Sequence, residues 1–147
     1  MGRNSIIYDD DFYAWTMEQA RLLRSGDLST IDARNIAEEI ESIGKSDRRE
    51  LRNRLSVLVM HLLKWRYQSG FRSTSWSGTV REQRQQIKAL LDESPSLRPQ
   101  LADELATIYE WGRTKAAGET GMPESTFPAK CPFKPAQILD ENFLPED

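Results

Sequence analysis

Apolar residues recur along this chain in steps of three and four, the spacing that gathers them on one face of a helix, in five successive stretches. The first runs through Phe12, Trp15, Thr16, Gln19, Leu22 and Leu23. Asp9, Asp10 and Asp11 stand at its start, where the unpaired N–H groups of a helix favour negative charge. Gly26 follows, where a left-handed residue can end a helix. The pattern predicts a helix from Asp10 to Ser25 behind a flexible arm of residues 1–8. Gln19 falls on the apolar stripe and needs a partner if it is buried. The second stretch has Asp32 as N-cap, a stripe of Ile36, Ala37, Ile40 and Ile43, and Gly44 as its stop.

The third stretch is the centre of the expected fold. Ser46 or Asp47 would cap it, and its stripe is Leu51, Leu55, Leu58, Leu62 and Trp65. Val57, Val59, Met60 and Leu63 widen that stripe nearly to the full circumference. A helix apolar all round belongs in a core, so residues 46–68 are expected as the central helix, folded back on the second one at Gly44.

Ser73 or Ser75 is the expected cap of a fourth helix near Trp76–Leu91, with Gln83 and Arg84 in the middle of its apolar stripe. Polar residues on a packing face reach a buried partner or line a cleft. A fifth helix opens near Ser94-Pro95 or Pro99, uses Leu101, Leu105 and Ile108, and ends at Gly118 or Gly121. Tyr109 and Trp111 diverge on it, so one of them is expected near the surface. Five of the seven prolines then fall within residues 123–145, which rules out long helices there. Phe127, Phe133, Ile138 and Phe143 nonetheless stud this segment. It is expected as an irregular strap, 122–147, packed on the bundle with one helical turn near Pro135–Leu139. The fold class is all-α: a single domain, 1–147, of about five helices.

Composition adds the charge pattern. The net charge of −3 hides three blocks: −5 over residues 1–44, +8 over 45–88 and −6 over 89–147. A basic middle between acidic ends reads either as internal complementarity or as a face for an anionic partner. A single cysteine, Cys131, allows no internal disulfide and fits a reducing compartment. Without a secretory signal or a long apolar run, the expected location is the cytoplasm, away from membranes.

Candidate chemistry is sparse. His61 is the one histidine, set among leucines, and needs a hydrogen-bond partner if buried. A carboxylate of the first helix or a side chain of the fourth is the expected one. Without a second histidine there is no Glu-x-x-His pairing of the kind bundle metal sites use, so no metal or other cofactor is assigned, and no catalytic residue. Glu38, Glu39 and Glu41 would meet Arg48, Arg49, Arg52 and Arg54 across a turn at Gly44. Around the end of the third helix, Trp65, Arg66, Tyr67, Phe71, Arg72 and Trp76 interleave aromatic and basic side chains. Such residues are enriched at protein interfaces, stack nucleic-acid bases, or simply cap a bundle.

Several stretches carry a family resemblance: YDDDFYAW at Tyr8–Trp15, the run Ile31–Trp65, SW…TVREQR at Ser75–Arg84, SPSLR at Ser94–Arg98, FPAKCPF at Phe127–Phe133 and FLP at Phe143–Pro145. Together they resemble the bacterial domain of unknown function family 29. The resemblance implies an all-helical domain of this length and brings no reaction, cofactor or catalytic residue. The expected function is a non-enzymatic module that binds another protein. The binding candidates are His61, Gln83, Arg84, Trp65, Arg66, Arg72 and Trp76. The alternatives are nucleic-acid binding through residues 45–88 and a small metal-dependent or hydrolytic enzyme centred on His61.

Overall fold

The computed structural model describes residues 3–146. The chain is all-helical, with no strand among the described residues. Seven α-helices are formed there: α1 (Arg3–Asp10), α2 (Phe12–Ser25), α3 (Ala33–Tyr67), α4 (Thr74–Glu93), α5 (Gln100–Asp103), α6 (Leu105–Thr120) and α7 (Pro135–Leu139). The chain divides into two compact units, Met1–Ser46 and Asp47–Asp147.

The N-terminal third departs from expectation first. The arm is helical from Arg3 (residues 1 and 2 lie outside the described residues), and Tyr8 on it meets the rings of Phe12 and Trp15 edge-on at 5.8 and 4.7 Å. The second and third expected helices are one: α3 runs 35 residues without a turn at Gly44. Glycine inside a helix costs about 1 kcal/mol relative to alanine, too little to break one alone. The neighbours from Ala33 to Tyr67 include no proline and many strong helix formers. The expected meeting of Glu38, Glu39 and Glu41 with the arginines of residues 48–54 therefore has no turn to create it. Arg48 and Arg52 instead pair with Glu104, each at 3.1 Å, and Arg54 pairs with Glu50 at 2.9 Å.

In the first unit, Asp11 caps α2 by accepting the Ala14 N–H at 3.0 Å, and Gly26 closes it at φ 79°. Asp32 is the hub. Its carboxylate accepts the Trp15 indole N–H at 3.1 Å and the Asn35 side-chain amide at 2.8 Å, while its own N–H donates to Gln19 Oε1 at 2.8 Å. The Gln19 amide oxygen thus finds a partner, while its Nε2 is enclosed without one. The core of this unit is small: on α2, Trp15, Gln19 and Leu22 are buried. Ile40 and Ile43, expected inside, are 64% and 66% exposed.

The second unit holds the main core. Leu51, Leu55, Leu58, Leu62 and Leu63 of α3 are sealed, joined by Val80 and Ile87 of α4, Ile108, Tyr109 and Ala116 of α6, and Phe127, Phe133 and Ile138 beyond. Each such leucine, valine, isoleucine or phenylalanine stabilises the fold by roughly 1.5–3 kcal/mol. α6 passes close to α3 at Gly112. A Cβ there would stand 2.9 Å from the Ser56 backbone oxygen and 2.8 Å from Val59 Cγ1, so any side chain would push the helices apart. Ser73 caps α4 by accepting the Trp76 N–H at 3.2 Å. The expected fifth helix is split at Glu104 into α5 and α6, and Gly121 ends α6 at φ 72°. Tyr109 is buried and Trp111 exposed.

The strap forms as expected, with α7 as its helical turn (residue 147 lies outside the described residues). An irregular segment leaves carbonyls unpaired, and buried carbonyls need donors. Three side chains of the bundle supply them. Arg84 donates through Nε to Ile138 O at 2.9 Å, through one terminal nitrogen to Phe143 O at 2.8 Å, and through the other to Gln137 O at 3.3 Å. Arg113 donates to Phe127 O at 3.1 Å, and the Tyr109 hydroxyl to Pro128 O. Burial, with a smaller contribution from Cys131, pushes the Tyr109 phenol up to about 12, so it stays a donor.

Candidate functional site

The candidate residues fall into two groups. Gln83 and Arg84 face structure. Arg84 is 5% exposed, and its guanidinium is occupied by the strap carbonyls. Burial pulls it below the usual arginine range, opposed by Asp140 and Glu141. Gln83 Oε1 accepts from Arg54 at 3.3 Å. Neither is shown meeting His61.

The second group gathers at the C-terminal end of α3 and the 3₁₀ turn Ser69–Phe71. Aromatic residues gather at this end, where Tyr67 packs against the core, and long cations lie across their rings. Arg72 sits over Trp65 at 5.2 Å and donates through Nε to the Trp65 carbonyl at 2.7 Å. Lys64 lies over Trp76 at 4.6 Å, and Arg66 over Tyr67 at 5.5 Å. Cation–π contacts of this kind contribute about 0.5–2 kcal/mol, more when shielded from water. Trp65, Arg66, Arg72 and Trp76 are half-buried, while Phe71 at the tip is 68% exposed.

His61 lies one turn before this end, half-buried, with Nδ1 enclosed and without a partner. Its charged neighbours are Lys64 and Glu119, themselves 3.8 Å apart. Burial lowers its pKa, and the Lys64 ammonium adds to this while Glu119 opposes it. Neither the anticipated carboxylate of the first helix nor a side chain of the fourth is shown meeting it; the carboxylate near it, Glu119, comes from α6 and acts through charge. Among the described residues, no three His, Cys, Asp or Glu side chains gather as metal ligands. Cys131 donates to Phe133 O at 3.3 Å, and burial raises its thiol pKa.

A family model for the domain of unknown function DUF29 matches residues 7–144. The chain belongs to this family. No curated protein and no solved structure matches it. No helix among the described residues of this DUF29 chain is long and apolar enough to cross a membrane. Lys64 is legible beside His61 from the sequence, one turn after it on the same helix face, whereas sequence reasoning missed Glu119. Glu119 carried no such signal, because its approach depends on how α6 crosses α3.

Proposed function

We propose that this DUF29 domain is a non-enzymatic protein-interaction module whose contact surface is the basic–aromatic end of the second unit. The observation that carries the reading is Phe71, a large apolar side chain 68% exposed on a tight turn, next to the Trp65–Arg72 stack. A solvent-exposed aromatic set beside arginines is the composition of interface anchors. The surroundings favour a protein over a nucleic acid. Single-stranded nucleic acid needs free ring faces for its bases, and one face each of Trp65, Tyr67 and Trp76 is taken by a cation of the domain itself.

The test uses Phe71→Ala combined with Arg66→Glu, two changes outside the sealed core. Affinity capture from the source cells should recover a protein with the native chain that the double variant loses, while the variant still unfolds in one cooperative transition. Identical capture by both would overturn the reading. Binding of the native chain to single-stranded or duplex probes at low salt, steeply weakened by added salt, would put nucleic acid in the partner's place.

A further inference from the structure

The first unit carries a surface of the opposite character. On α3, Ile36, Ile40 and Ile43 follow steps of four and three, the spacing of a helix–helix seam. Ile36 is partly covered, but Ile40 and Ile43 are open to solvent. Exposed large apolar residues scattered singly need no explanation; several along one ridge mark an interaction site. Helical geometry places Ala33, Ala37 and Gly44 along one edge of this ridge and Glu39 along the other. Gly44 is unexplained by the chain itself. Its φ is not positive, and a Cβ added there would meet nothing within 4 Å. It weakens the helix without serving any close approach among the described residues. A second helix lying along the isoleucines, its backbone close over Ala37 and Gly44, would make use of it.

Charge decides what that helix carries. Between residues 33 and 46 the ridge side of α3 presents no lysine or arginine, since Arg34 and Lys45 fall on the opposite side. Glu39 is held at the edge by the Tyr8 hydroxyl at 3.3 Å, and Asp9 and Asp10 of α1 are exposed. Residues 1–44 as a whole carry −5. An anionic membrane surface and a nucleic acid are repelled by such a face. A second copy of the same face would bring like charges together, which costs affinity. We infer that the Ile36–Ile40–Ile43 ridge docks a cationic amphipathic helix of another protein.

The probe is a fluorescent synthetic peptide of about 18 residues, long enough for five helical turns, patterned with leucine on one face and lysine on the other. Its control replaces lysine with glutamate. The full chain should bind the lysine peptide and not the glutamate one. Ile40→Ser with Ile43→Ser should weaken binding about tenfold or more, as expected for central interface anchors, with the melting temperature unchanged. Gly44→Leu should also weaken binding about tenfold while the melting temperature holds or rises, because leucine is the better helix former. Absence of binding to the lysine peptide, equal binding of both peptides, or variants that bind as well as the native chain would each overturn the proposal. So would a concentration-dependent dimer abolished by Ile40→Ser with Ile43→Ser, since the occupant would then be a second copy. A result here leaves the Phe71 surface untouched, because the two sets of variants share no residue.

Discussion

One helix carries two apolar ladders with opposite fates. Leu51, Leu55, Leu58 and Leu62 are sealed, while Ile40 and Ile43, on the same α3 and at the same kind of spacing, stand in solvent. Spacing does not separate them. What differs is what each unit brings to the ladder. The second unit supplies α4, α6 and a strap studded with phenylalanines. The first supplies two short helices, of which α2 buries only Trp15, Gln19 and Leu22. Covering an apolar face also requires that the backbone of the cover be satisfied. The strap cannot satisfy itself, so Arg84, Arg113 and Tyr109 do it from the bundle. The sealed ladder is recognisable by the polar side chains spent on its cover, and the open one has none.

The largest effect should come from removing that cover. Arg84→Ala takes away three charge-assisted bonds to strap carbonyls. Each contributes about 1.5–3 kcal/mol, less where water can replace the lost donor. The expected loss is about 3–5 kcal/mol in urea unfolding. Limited proteolysis should cut first between residues 134 and 146. Arg84→Lys should recover only part of the loss, since one ammonium cannot span three carbonyls. If Arg84→Ala melts like the native chain, the strap holds itself and the account of the sealed ladder fails.

The two ladders can then be set against each other directly. Leu58→Ala should cost about 2–5 kcal/mol, the range for emptying a packed core site. Ile40→Ala, also a truncation on the same helix, should stay within about 0.5 kcal/mol, as for surface positions away from special features. The difference between them, not either value alone, is the quantity to read from paired urea curves. A cost at Ile40 near that at Leu58 would mean that the isoleucine ridge is already covered in solution.

Much of this architecture was legible in the residues. The acidic start of α2, the stop at Gly26, Ser73 and Gly121 as one of two candidates each for cap and stop, the sealed leucines and the helical turn at Pro135–Leu139 all follow from local chemistry. The break at Gly44 was misread because glycine serves two roles, ending helices with φ positive and sitting inside them at modest cost. Only the backbone shows which role it has. The burial of Ile40 and Ile43 was misread for a different reason: a periodic stripe says which face is apolar and nothing about whether a cover exists. Gln83 and Arg84 stand out in the sequence as polar residues on an apolar stripe. Their partners, Arg54 and the strap, lie 29 to 59 residues away in sequence, beyond the reach of local pattern.

The smallest effect is a dependence on pH. In the folded chain, burial and the Lys64 ammonium hold the His61 pKa below its ordinary value of 6.5, while Glu119 opposes them. The unfolded chain keeps the ordinary value, so as pH falls through that region the unfolded state takes up the proton first. Stability rises with pH wherever the unfolded state binds more protons. The contribution of His61 to stability is therefore full above its ordinary pKa and shrinks as pH falls below it, levelling off beneath the lowered folded value. His61→Gln removes this dependence and leaves that of the carboxylates in place. Urea midpoints at pH 7.5 and 5.5 should accordingly fall further for the native chain than for His61→Gln. Glu119→Gln removes the opposing charge and should make the native slope steeper, whereas Lys64→Met should flatten it. Equal slopes for the native chain and His61→Gln would show that His61 takes up its proton as readily in the folded state as in the unfolded one. The enclosed Nδ1 would then have a partner that makes the charged ring welcome.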